Sequence, residues 1–500
     1  MRLFVLKPLI MIVVSLAIAG CAVSPVFEEV DLEEQQDAPV VRHALANLPY
    51  ADHWTMLFLN GAEAGFTRLR VNSGTTPNDF TLRSEAYLQM FLLGTKTTVI
   101  ITATDWVDAN LRLKRFRYVY TIDGAKTRVE GAIEEGVLHA TVTGDADHRE
   151  LDIALKRSIY PSRAVCLYPI IDGLERGKSY AFVTYDGETQ TLKAVRQRVD
   201  GYGTSDQFDG YAYSLSSNVS GSASNIWIDQ LGRCVLEVSM KGIFLAKQLA
   251  AEKAREMLVS AAFNHTPFYL DYTTIRTKQP IESARDVKAM RVELSGLGET
   301  WVLPDDDRQR CWRESDVYAC QIVASPGHID KVAFEEVDSK ALSPSAAITS
   351  DDPAVVSIAS DIAGEIDEQG LGLIQSLNDW ILSRVRNSTE PIENASQVLG
   401  SNRQSGPLGR TYLFAALARA VGIPTRIANG LVYSQLDEGF IYHSWAESWV
   451  DGFWYRVDPA FGGLSDDATH IKLGLGDTDE QLSKFADIIG RLSVNVLAYD

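Results

Sequence analysis

Cysteine is scarce in this chain. Five occur in 500 residues, at positions 21, 166, 234, 311 and 320. The chain beyond Cys320 therefore has no thiol, which excludes thiol nucleophiles and cysteine-ligated metal from it. No His/Cys cluster has metal-ligand spacing, so neither structural zinc nor any other metal or cofactor is predicted. Positive charge is also short. Lys and Arg total 47 against 66 Asp and Glu, a formal net charge of −19, so polyanions are repelled and nucleic acid is excluded as a partner. Long apolar runs are missing as well: the longest, Leu9 to Ala19, falls short of the ~20 residues a bilayer span needs.

That run has another use. Arg2 and Lys7 precede it and Ile18-Ala19-Gly20-Cys21 ends it, the charged, apolar and small-residue order of a secretory signal over residues 1–20. The approach to Cys21 resembles the lipobox of bacterial lipoproteins, which implies an acylated Cys21 at the start of the mature chain. Several acyl chains would make that anchor stable. The alternative is ordinary cleavage after Ala17-Ile18-Ala19. Ala22 after the cysteine, by the same resemblance, implies the periplasmic face of the outer membrane. Residues 21–44 are acidic and aperiodic and read as a tether. The four other cysteines, an even number in an exported chain, suggest disulfides. Cys311 and Cys320 flank a short polar loop and form the natural local pair, leaving Cys166 with Cys234, although three pairings are possible.

Residues 45–265 alternate in short β-branched and aromatic runs, with turn signals at Asn60-Gly61, Asp123-Gly124 and Asp186-Gly187. The segment is predicted to be a large antiparallel β-domain closed by an amphipathic helix over Phe244–Phe263. A small β-domain follows at 266–339, with strands over Val287–Leu297 and Glu299–Leu303 and a cysteine-flanked hairpin. Lys340–Pro353 is small, polar and proline-bearing, and reads as a linker. Beyond it, Ala354–Ile366 and Gly370–Val385 have helical periodicity. Residues 354–475 form the next domain and 476–500 a tail.

Within that domain lie SGPLGRTYLFAALARAVGIPTR (405–426) and YHSWAESWVDGFWYRVDPAFGG (442–463). Ser405-Gly406-Pro407 reads as a helix cap and start, and Gly422 as its stop. The layout resembles the transglutaminase-like (papain-like) superfamily, in which a cysteine opens the helix, a histidine precedes WAE and an aspartate sits in VDP. His443 and Asp458 match the second and third positions. The first falls on Pro407 or, in another register, on Gly406. Where the family often has Glu, His and Ala after the cysteine, this chain has Gly409, Arg410 and Thr411. His470 reads as a structural histidine. The resemblance implies an α+β chain in which antiparallel β-domains precede a papain-like core.

A cysteine at a helix N-terminus is activated by the helix dipole and an adjacent imidazolium, and proline offers no such group. Ser405 is the nearest hydroxyl, but it needs a strong base to act and suits a cap instead. The expected function is therefore non-catalytic: an envelope lipoprotein binding or scaffolding a peptide or protein partner, held to the membrane through its lipid. Two alternatives are acyl transfer by a hydroxyl nucleophile and lipid binding by the β-domains. On the non-catalytic reading His443 and Asp458 are vestigial.

Overall fold

The computed structural model describes all residues except 1–29, 75, 77, 93–94, 145–146, 220, 325–331, 367–369, 391 and 465–466. Cys21 and the expected signal thus lie outside the described residues. The chain divides into two compact units, Met1–Ala254 and Arg255–Asp500. Among the described residues no helix is long and apolar enough to cross a membrane.

The first unit is a 15-stranded antiparallel sheet built from successive hairpins. Asn60-Gly61 and Asp123-Gly124 turn with both residues at positive φ, the mirror-image turn whose twist suits a hairpin. One face of the strands from Ala62–Ser73 to Val137–Thr143 and from Ser179–Asp186 to Ser222–Asp229 packs into a shared apolar core that includes Leu82, Phe116, Val129, Val199, Leu215 and Ile226. The helix Ala164–Asp172 packs into the same core through Ala164, Leu167 and Ile170.

Three expectations are corrected here. Phe244–Leu249 is a strand, not the first half of a helix; it pairs with Asp52–Leu59 and joins the two ends of the meander, and the helix begins only at Ala251. Six residues with mixed periodicity do not decide between strand and helix, and two waiting strand edges do. Described residues of the segment read as a tether are paired and packed: Glu33–Glu34 pairs with the strand Thr191–Ser205, and Val41 is buried and bridged to Leu174. Cys166 and Cys234 are free thiols, not a disulfide, whereas Cys311 and Cys320 are bonded with their Cα atoms 4.2 Å apart.

Among its described residues the second unit has a two-stranded parallel pair, Arg386–Asn387 with Gln404–Ser405, and two larger sheets. One runs in the order Gly463–Leu464, Phe453–Asp458, Gly439–Val450, Thr425–Ser434, His470–Leu475, with Ile275–Arg276 added beside Gly439 and Phe440. The other runs Gln309–Glu314, Val317–Val323, Ala289–Ser295, Ser493–Tyr499. The small β-domain therefore does not stand alone, and residues 476–500 are no tail, because Ser493–Tyr499 supplies an edge strand. Glu299–Leu303 is not a strand; Trp301 instead donates to Leu473 O and packs on Phe485. The linker is packed too, with Ala341, Ala347 and Ile348 buried.

Helices Pro353–Gly364, Leu371–Arg384 and Ala395–Gly400 surround the helix Pro407–Ala420, which lies against the strands Thr425–Ser434 and Gly439–Val450. Every residue from Leu408 to Arg419 in that helix is buried. A helix enclosed on all sides has no polar face to show, and this one carries charge only where a partner exists. Arg419 reaches Thr425 O, Ser343 O and Asp477.

Candidate functional site

The start of the buried helix, the middle of the strand Gly439–Val450 and the end of the strand Phe453–Asp458 meet at one place. Pro407 is the first helical residue, as its fixed φ and missing N–H favour. Gly406, not Ser405, is the N-cap, and no side chain caps it. The expectation that Ser405 caps the helix is corrected: its Oγ donates to Gly406 O at 2.9 Å, and the residue has no exposed surface.

His443 and Asp458 do come together. Nε2 of His443 lies 2.9 Å from Asp458 Oδ2, and both side chains are fully buried. The same oxygen receives Nε2 of His470 at 3.0 Å, while Nδ1 of His470 lies 3.1 Å from Asp467 Oδ1. Arg285 Nη1 completes the row at 3.0 Å from Asp467 Oδ2. Ionised carboxylates only accept hydrogen bonds, so a ring bonded to two of them through both nitrogens is the doubly protonated form. His470 is thus the cation between two anions.

Burial alone would raise the carboxyl of Asp458, but His443 and His470 outweigh it and hold it well below the ordinary range. The other oxygen, Oδ1, accepts from the backbone of Ala460 and Phe461 at 3.0 and 3.1 Å. Asp467 is likewise held low: burial opposes, and His470, Arg285 and Thr469 prevail. With Asp458 ionised, Nε2 of His443 is the donor, which leaves Nδ1 as the nitrogen that a thiol would face. That atom is buried and has no hydrogen-bond partner among the described residues.

Residues that the sequence did not point to surround it. His265 stacks obliquely on His443 with ring centroids 5.5 Å apart, and Phe461 meets His443 edge-on at 5.0 Å. Nε2 of His265 donates to Tyr442 O at 2.9 Å, and burial, then His443, push its pKa down to about 3. Asn264 donates Nδ2 to Ser260 O at 3.0 Å, and its buried Oδ1 has no partner. A Cβ placed on Gly406 would lie 2.7 Å from that Oδ1. Asn264 and His265 follow the helix Ala251–Phe263, and nothing in their local pattern marks them. Asp467 and His470, three residues apart, did carry a weak signal.

The positions after the helix start are rebuilt as well. A Cβ on Gly409 would fall 2.2 Å from Ser405 Oγ, so no glutamate fits there as the structure stands. Arg410 turns away to donate to Val385 O at 2.6 Å, and Thr411 donates to Ser444 O at 2.9 Å. Neither meets His443. The arrangement holds the His443 imidazole in place, and among the described residues no hydrogen bond joins Arg410 or Thr411 to it.

Residues 357–459 match the transglutaminase-like superfamily. No curated protein matches the chain. Among solved structures, a candidate cysteine protease from Cytophaga hutchinsonii is 15% identical, with a TM-score of 0.28, over 43% of this chain and 86% of that one. The periplasmic domain of TgpA from Pseudomonas aeruginosa is 14% identical, with a TM-score of 0.27, over 43% and 93%. A β-barrel-like protein from Brucella abortus is 14% identical, with a TM-score of 0.31, over 39% and 93%.

Proposed function

Given a transglutaminase-like domain at residues 357–459, we propose that it has lost its chemistry and acts by binding a peptide or protein partner. The observation that carries this reading is the buried, unpartnered Nδ1 of His443 beside a helix that opens with Gly406 and Pro407. Acyl transfer through a thioester needs a nucleophile within about 3 Å of that nitrogen. The hydroxyl alternative fares no better, because the proton of Ser405 Oγ is directed to Gly406 O and its side chain is sealed from solvent. The reading extends to location: acylation at Cys21 would hold the protein at the periplasmic face of the outer membrane, consistent with its acidic composition and its formed Cys311–Cys320 bridge.

Turnover decides the matter. Purified full-length protein, assayed on amide and ester substrates with and without an amine acceptor, is expected to give no rate above buffer. Hydrolysis or transamidation that disappears in Ser405→Ala or His443→Ala would reverse the conclusion in favour of a hydroxyl nucleophile.

A further inference from the structure

The first unit holds a polar cluster inside its apolar core. Arg163, just ahead of the helix Ala164–Asp172, donates Nε to Ser84 Oγ at 3.1 Å. Its two terminal nitrogens have no hydrogen bond or ion pair among the described residues. Ser84 alternates with Leu82, a core residue, so this guanidinium sits on the inner face of the sheet.

Two carboxyl groups stand on the same face. Asp105 lies opposite Leu82 in register, is 1% exposed and accepts from Tyr118 Oη at 2.5 Å. Glu237 lies opposite the core residue Ile226 and makes no hydrogen bond or ion pair among the described residues. Burial raises both, Asp105 to about 7; the hydrogen bond from Tyr118 and then the charge of Arg163 oppose it at Asp105, and the charge of Arg163 opposes it at Glu237.

Beside them, Gln197 and Ser217 face each other across neighbouring strands, 3% and 4% exposed. Gln197 Nε2 donates to Val165 O at 2.8 Å, which places it near Arg163, yet its Oε1 and the Oγ of Ser217 have no partner. The buried Oε1 of Gln197 and Oγ of Ser217, beside an arginine whose terminal nitrogens are unpaired among the described residues, need a common explanation, since buried polar groups are ordinarily satisfied.

We propose that this interior binds one small hydroxylated oxyanion, a hydrogen phosphate or an α-hydroxycarboxylate, with its charge on Arg163 and its hydroxyl on Gln197 and Ser217. Ser84 fixes Nε and leaves the two terminal nitrogens as a fork, the geometry that receives two oxygens at once. The unpaired Oε1 of Gln197 needs a donor, which a hydroxyl supplies and a bare halide does not. Arg163 and Glu237 are half-buried although their positions face inward, so solvent reaches this part of the cluster.

Isothermal titration of the full chain with inorganic phosphate and with glycolate, against chloride at matched ionic strength, tests this. One of the two oxyanions is expected to bind saturably at one per chain, and the tighter one identifies the anion class. Arg163→Gln should weaken that binding at least tenfold, while the exposed Arg198→Gln should not. If Arg163→Gln fails to fold, Ser217→Ala and Gln197→Leu take its place, each expected to weaken binding at least threefold. No heat beyond chloride for either oxyanion, or undiminished affinity in the folded variants, would overturn the proposal.

Discussion

Asn264 stands over Gly406. Its Oδ1 lies 2.7 Å from where a Cβ on that glycine would be, so the space into which a side chain at the helix cap would project is already occupied. Placing a cysteine at the cap therefore meets a packing obstacle.

Gly406→Cys should destabilise the second unit by about 1 to 3 kcal/mol through overpacking. Adding Asn264→Ala should recover part of that loss, although it also gives up the bond to Ser260 O. Urea unfolding of the three variants measures both. Equal stability of wild type and Gly406→Cys would mean that Asn264 yields freely.

Acid should weaken the second unit in two stages. His265 has its folded pKa depressed to about 3, so between that value and the unfolded ~6.5 the unfolded chain binds the extra proton. Its contribution is complete above pH 6.5 and shrinks as the pH falls, by up to about 1.4 kcal/mol per unit. Asp458 and Asp467 are held low; their contribution is present above the unfolded ~3.9 and is lost below it as each protonates. Unfolding midpoints from pH 8 to 3 should fall accordingly, and His265→Gln should flatten the upper stage alone.

Removing Asp458 should cost far more than removing its partner. Asp458→Ala strands one imidazolium and one imidazole in a fully buried space, a loss of about 3 to 5 kcal/mol. His443→Gln keeps a donor toward Asp458 and should cost no more than about half of that. Thermal unfolding of both, read by circular dichroism, checks the order, and a larger loss in His443→Gln would contradict it.

The Cys311–Cys320 bridge closes a short hairpin loop. Its removal by Cys311→Ala with Cys320→Ala should cost about 2 to 3 kcal/mol, chiefly by freeing the unfolded chain. Peptide mapping without reduction should recover the bridged pair and, separately, Cys166 and Cys234 as alkylatable thiols under denaturing conditions.

Metabolic labelling with a fatty-acid analogue should mark wild type and not Cys21→Ser, and the wild type should fractionate with outer membrane. Equal labelling of the two proteins, or recovery of wild type in the soluble periplasm, would remove the anchor from the functional reading.

Local chemistry was legible in the chain itself. Proline at the first turn, Gly422 at φ 80 after the last, and Asn60-Gly61 and Asp123-Gly124 at their hairpins all act through the backbone angles of one or two residues. The order of helix motif, His443 and Asp458 pointed to the transglutaminase-like match of residues 357–459 through family resemblance, which is read along the chain. Tertiary structure alone decided the rest. Phe244–Leu249 became a strand because two edges awaited it, and Ser493–Tyr499 joined a sheet whose neighbour, Ala289–Ser295, lies far away in the chain. Sharing of Asp458 between His443 and His470, and entry of Asn264 and His265 beside them, are distances between segments. No periodicity encodes such distances, because each is set by how elements far apart in sequence pack, and only the folded chain brings them within hydrogen-bond reach.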